Sequence, residues 1–169
     1  MAISMPPSGS NEEENLPGIS RQFLLFGQGG SLFAVELICV REVLSAREQQ
    51  ISPVPNTLPF LLGLTNLRGE ILGVGDFGRF IDAEPTEIEH FQSRILVLES
   101  SNFDQSSEVI RMGLAVGWVE GVVSLNPDQI VSAVEVSEEL APLLKGLYDS
   151  EGRLLMILDV EAITKSERW

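Results

Sequence analysis

An all-β fold assembled from two copies of one small unit is predicted for this chain, on three observations. Short runs of Phe, Leu, Val and Ile alternate with Gly, Pro, Asn and Ser along most of its 169 residues, the pattern of brief strands joined by turns. Nothing in it reads as a strand–helix–strand alternation, so a barrel or sandwich is expected rather than a parallel sheet. A block starting at Pro59 also falls on itself, without a gap, when the chain is slid by 83 residues.

The elements follow in order. Residues 1–20 read as a disordered leader, punctuated by Pro6, Pro7, Gly9 and Ser10, carrying the acidic run 12–14 and closing on Pro17-Gly18. The folded domain is expected over residues 21–169. Residues 23–26 form a strand, Gly29-Gly30 a hairpin turn, and residues 32–35 the return strand. Residues 36–44 fit a helical turn or a bent strand, since periodicity does not separate the two. Pro53 and Pro55 mark an extended or edge segment. Residues 64–67 and 71–74 are strands around a tight turn at Arg68-Gly69-Glu70. Residues 94–99 read as a buried strand, 100–108 as a polar loop, and 111–116 and 119–124 as two further strands. Asn126-Pro127 signals a capped turn with Pro in the first helical position, and Ser137-Glu138-Glu139-Leu140 a second capped turn.

The repeat preserves the residues with the most restrictive backbones. Pro59 falls on Pro142, Gly63 on Gly146, Gly69 on Gly152 and Asp76 on Asp159, with Leu61, Leu72 and Val74 meeting Leu144, Leu155 and Ile157. Ala34-Val35 echoes Ala115-Val116 more weakly, across an insertion. Two copies of one β unit packed side by side follow, each ending in an Asp that caps a last helical turn. Capping is favoured for Asp76 and Asp159 over a catalytic carboxylate pair.

The formal charge is −14, from 25 acidic and 11 basic residues. It is spread over both halves: ten acids and five bases in residues 1–85, fifteen and six in 86–169. Such a field repels nucleic-acid phosphate and anionic lipid and leaves proteins as the expected partners. Cys39 is the single cysteine and His90 the single histidine, so no disulfide, Cys-pair metal site or nucleophilic triad is expected. No apolar run approaches the roughly 20 residues of a membrane span, and the start of the chain lacks the pattern of a secretory signal. No cofactor, metal or catalytic residue is expected. His90 reads as a surface residue, and Trp118 stands either in the core or on a partner-facing groove.

One turn resists a purely structural explanation. Leu67-Arg68-Gly69-Glu70 puts a guanidinium between apolar strands of an acidic protein, whereas the second copy has Asp149-Ser150-Glu151 at the places of Asn66, Leu67 and Arg68. Divergence of a loop on a retained scaffold marks a recognition surface. The plainer reading has Arg68 bracing its own turn through backbone carbonyls. From these residues the two stand side by side.

The stretch LPFLLGLTNLRGEILGVGDFGRF, residues 58–80, resembles the signature of CheW-like domains. So do RQFLLF and SLFAVELICVREVL near the start, GLAVGWVEGVVSLNPDQI in mid-chain and LLKGLYDSEGRLLMILDVEAI at the close, in the family's order over residues 21–164. The resemblance implies a pair of small, intertwined five-stranded, SH3-like β-barrels over residues 21–169, with short helical turns and a groove between them. It implies no catalysis, and a role bridging the cytoplasmic tips of methyl-accepting chemoreceptors and the regulatory domain of a CheA-type histidine kinase. The protein would then be cytoplasmic, at receptor arrays on the inner membrane face, without inserting into the membrane. By the same resemblance Arg68 and Glu42 belong to the receptor-facing surface, with Asn66 and Ile95 as neighbours. The kinase-contact residues stay unassigned. Two departures bear on which receptor and kinase set is served: Gly73-Val74-Gly75 where the family carries Pro, and Gly117-Trp118-Val119 where it carries Val-Asp-x-Val. Pilus-driven motility and phototaxis are settings beside flagellar chemotaxis. A carboxylate enzyme, a small-barrel nucleic-acid binder and a module for an unrelated partner are the competing classes.

Overall fold

The computed structural model describes residues 20–55, 58–100, 109–133 and 136–166. Most of the leader and most of the loop expected over 100–108 lie outside these residues. Among the described residues, ten strands form two five-stranded sheets. Sheet A has the order β8-β1-β2-β10-β9, from Trp118–Leu125, Arg21–Gln28, Ser31–Glu36, Arg153–Leu158 and Leu144–Ser150. Sheet B has the order β3-β6-β7-β5-β4, from Val40–Ser45, Arg94–Glu99, Arg111–Val116, Glu70–Asp76 and Leu61–Leu67.

The two orders are the same sequence of roles. In each, a hairpin (β1-β2 or β6-β7) joins a second hairpin (β9-β10 or β4-β5) through one parallel pairing, β2 with β10 or β7 with β5. The copies are interleaved, where the repeat alone suggests two units side by side. Sheet A takes β1 and β2 from the first half and β8–β10 from the second; sheet B takes the remainder. Every sheet is thus completed by the other half of the chain.

Residues 36–44 hold both of the alternatives left open: a 3₁₀ turn at Leu37–Cys39 followed by β3. The glycines Gly73 and Gly75 do not break β5; the irregularity falls on β4, where Leu61 pairs Gly75 and Gly63 pairs Val74. Asn126 caps the turn Pro127–Gln129 by accepting from the Asp128 N–H, and Ser137 Oγ accepts from the Leu140 N–H. Asp76 and Asp159 cap the helices α1 (Phe77–Phe80) and α2 (Val160–Thr164).

Neither sheet lies flat with two open edges. After β3 the chain turns back to bridge Ser52 to Leu64 of β4, the far edge of sheet B, and after β8 it bridges Val131 to Leu147 of β9, the far edge of sheet A. These two straps explain the conserved spacing of Gly63 and Gly146. A Cβ on Gly63 would fall 2.2 Å from the Ser52 carbonyl oxygen, and one on Gly146 2.2 Å from that of Val131. Both glycines also hold φ near +150°, at +147° and +154°, where side chains are strained.

Each sheet wraps its own small core: Phe23, Leu25, Ala34, Leu155 and Ile157 in A, and Ala46, Val74, Ile95 and Ala115 in B. A larger third cluster joins the two, with Phe26 and Phe33 of sheet A packing on Phe77 at the head of α1. The Phe33 and Phe77 rings meet edge to face at 4.9 Å, and Phe26 meets Phe77 at 5.4 Å. Among the described residues no helix is long and apolar enough to cross a membrane.

Candidate functional site

The Arg68 turn is a two-residue hairpin loop. Arg68 at φ +52° and Gly69 at φ +89° both take positive φ, the geometry that matches strand twist in tight hairpins. Asn66 Oδ1 accepts from the Gly69 N–H at 2.8 Å and fixes the turn from inside. The second copy repeats this: Glu151 at φ +54°, Gly152 at +89°, and Asp149 Oδ1 on the Gly152 N–H at 2.9 Å. The backbone device is duplicated, while the side chain it displays changes from Arg to Glu.

That display carries the guanidinium across to β3. Arg68 Nη1 donates to Glu42 Oε2 at 2.9 Å, and Nη2 donates to Oε1 at 2.5 Å and Oε2 at 2.7 Å. The Arg68 side chain is 66% exposed and that of Glu42 24%. Arg68 therefore does not brace its own turn, because its planar fork is satisfied by the Glu42 carboxylate. Arg41, Glu42, Leu67, Arg68 and Glu70 line an open cleft of about 540 Å³ around the pair.

A second set of charges, not singled out from the sequence, runs beside it. Arg41 of β3 donates to Glu99 of β6 at 2.9 Å; Arg111 of β7 donates to the same Glu99 oxygen at 2.5 Å and to Glu70 of β5 at 2.5 Å. Arg111 and Glu99 are directly opposed across the β6-β7 hairpin. The hydrogen bond from Arg111, helped by the charge of Arg41, holds the Glu99 carboxyl below its usual range, and Glu99 in return holds the Arg111 guanidinium more firmly protonated. Opposite charges at the two mouths of one loop, Glu99 and Arg111, were the available signal.

Of the four residues expected at this surface, the structure brings Arg68, Glu42 and Asn66 together and removes Ile95. Ile95 is fully buried, packed among Ala46, Val74 and Ala115. Its expected place on a partner-facing surface is corrected: β6 is buried along residues 95–98, and Ile95 packs into the core of sheet B beside Leu44, its cross-strand partner on β3. Trp118 is half-buried at the start of β8, its ring laid over Gly27, where a Cβ would fall 2.0 Å from Cζ2. His90 is exposed and stacks on Phe91 at 4.8 Å. Burial and the nearby Glu36 carboxylate push the Cys39 thiol up from its ordinary value.

Comparison with known proteins places this geometry. The family description "CheW-like domain" matches residues 22–168. The chain is 28% identical over 150 residues to the Chemotaxis protein CheW of Klebsiella aerogenes, covering 88% of this chain and 84% of that protein. It is 25% identical over 162 residues to the protein of the same name from Rhizobium meliloti, covering 94% and 96%. Among solved structures, the scaffolding protein TtCheW from Thermoanaerobacter tengcongensis superposes with a TM-score of 0.74 at 20% identity, over 88% of this chain and 95% of that one. With its two interleaved five-stranded sheets and a family match over nearly all of the described residues, the chain belongs to the CheW-like domain family.

Proposed function

We propose that this protein is a non-catalytic adaptor that couples methyl-accepting chemoreceptors to a CheA-type histidine kinase, working at receptor arrays on the cytoplasmic face of the membrane. The observation that carries the reading is the CheW-like match from residue 22 to residue 168. An adaptor contributes geometry: holding receptor and kinase on one rigid body raises their effective concentration and biases the kinase between its states. Arg68, Glu42 and Asn66 form the receptor-facing patch, since Arg68 and Asn66 sit at an exposed, pre-ordered turn and Glu42 on β3 pairs with Arg68.

The test reconstitutes the purified chain with the regulatory domain of a CheA-type kinase and a receptor-tip fragment. Each should bind alone, all three should assemble, and kinase autophosphorylation should respond to the receptor only when the chain is present. Absence of binding to both partners would overturn the reading.

A further inference from the structure

We propose that Gln28 is a positioning residue: its side-chain amide bolts sheet A onto the helical cap of sheet B and so sets the angle at which the two sheets present their faces to partners. Gln28 ends β1 of sheet A and is only 5% exposed, so its amide has to find partners inside the protein. Both partners belong to the segment that follows α1 of sheet B. Nε2 donates to the Glu84 carbonyl at 3.3 Å, and Oε1 accepts from the Thr86 hydroxyl at 3.1 Å. The Glu84 carbonyl fixes the sense of the amide, because the reverse orientation would set two oxygens face to face.

Thr86 carries the link onward. Its hydroxyl, with one proton, also faces the Ala115 carbonyl of β7 at 3.2 Å, and its N–H donates to both carboxylate oxygens of Asp76 at 3.1 Å. Asp76 is 1% exposed and is itself the cap of α1. Gly78 makes room for the junction: a Cβ there would fall 1.9 Å from the Glu84 carbonyl oxygen and 2.8 Å from Gln28 Nε2. A hydrogen-bonded chain thus runs from β1 through Thr86 to Asp76, from one sheet to the other.

Other ties between the sheets include the Phe26–Phe33–Phe77 cluster and the Gly117 N–H, which joins β7 to β8 and donates to the Gly27 carbonyl of β1 at 3.0 Å. Apolar burial resists separation but is non-directional and tolerates sliding, whereas buried hydrogen bonds fix an orientation. Asp159, the counterpart of Asp76, caps α2 through the Ala162 N–H and is less deeply buried.

The part of the inference that concerns partners rests on the adaptor reading, and the test separates the two. The full chain carries Cys39→Ala with nitroxide labels on Ser124→Cys of β8 and Ile71→Cys of β5, exposed positions on sheets A and B. Pulsed dipolar spectroscopy reads the distance distribution between them. Gln28→Leu and Thr86→Val should widen it about two-fold, whereas Thr86→Ser, which keeps the hydroxyl, should leave it as in the parent. In unlabelled variants the kinase regulatory domain alone and the receptor fragment alone should bind within about two-fold of the parent, while three-way assembly falls about five-fold. An unchanged width in folded Gln28→Leu overturns the inference. Should Gln28→Leu not fold, equal widths for Thr86→Val and Thr86→Ser overturn it instead. A parent chain that binds neither partner sinks the adaptor reading, and the distance widths then decide the role of the amide alone.

Discussion

Arg68 and Glu42 sit at opposite edges of one sheet and nevertheless form a two-point ion pair. In the order β3-β6-β7-β5-β4, Glu42 lies on β3 and Arg68 in the β4-β5 turn, with β6 and β7 between them. The contact exists because sheet B curls, bringing the β4-β5 turn within reach of β3, and the segment after β3 closes the gap through the Ser52–Leu64 bridge. Sheet A closes in a similar way, with Arg153 of β10 on Glu120 of edge strand β8 at 2.7 Å.

The pair is exposed, so its contribution to stability is small, about 0.2–1 kcal/mol once solvent screening is counted. Its importance lies in what it holds ready for a partner. Arg68→Glu is expected to leave the urea midpoint close to that of the parent and to weaken receptor-fragment binding by about ten-fold or more. The charge swap Arg68→Glu with Glu42→Arg restores the internal pair while exchanging the signs. Binding by the swap at parental strength, measured by calorimetry, would show that the receptor does not read these charges.

The two capping aspartates are expected to differ in cost although the repeat makes them equivalent. Asp159→Ala removes one cap bond on a two-sided surface element and should cost about 1 kcal/mol. Asp76→Ala strips partners from the N–H groups of Gly78 and Thr86 in a buried setting and should cost about 3 kcal/mol. Urea unfolding at constant m value measures both. Equal losses would mean that the link through Thr86 adds nothing to the cap.

The contrast shows what the sequence made legible and what it did not. Positions that the backbone dictates were readable from one chain: Gly63, Gly69 and Asp76 with their counterparts Gly146, Gly152 and Asp159 repeat because straps, turns and caps tolerate few residues. Strand 94–99 was readable as well, built on the apolar run 95–98 that matches β6. The repeat by itself did not carry the interleaving of the halves, since pairing of β8 with β1 is set by tertiary packing and leaves no local mark. Ile95 was misplaced for a related reason. A strand buried along its length carries no alternation from which its faces can be told. The Gln28–Thr86 contact joins residues 58 apart, and neither residue type announces burial.

The straps give a test of closure. Gly63→Ala puts a methyl group 2.2 Å from the Ser52 carbonyl at a strained φ, and Gly146→Ala does the same against Val131. Each is expected to cost about 2 kcal/mol or more. Gly69→Ala, at a turn with open space around it, meets only the φ penalty and should cost about 1 kcal/mol. If Gly63→Ala and Gly69→Ala lose the same stability, the strap is not pressed against β4 in solution.

Acid should loosen the charge row across sheet B in a defined window. The Glu99 carboxyl is held below its usual range by the hydrogen bond from Arg111, so the folded state binds the Glu99 proton less readily than the unfolded chain. Stability from this group is therefore present above the unfolded value of about 4.3 and drains away as pH falls through the lower, folded value. The difference in unfolding free energy between the parent and Glu99→Gln should be constant from neutral pH down to about pH 5 and shrink below about 4.3. Replacing Arg111 with Met removes the donor that causes the shift, and in that background the acid-dependent part of the Glu99→Gln difference should largely disappear. Denaturant titrations of the four proteins between pH 3 and 7 supply the comparison. An undiminished pH dependence in the Arg111→Met background would assign the shift to a group other than Arg111.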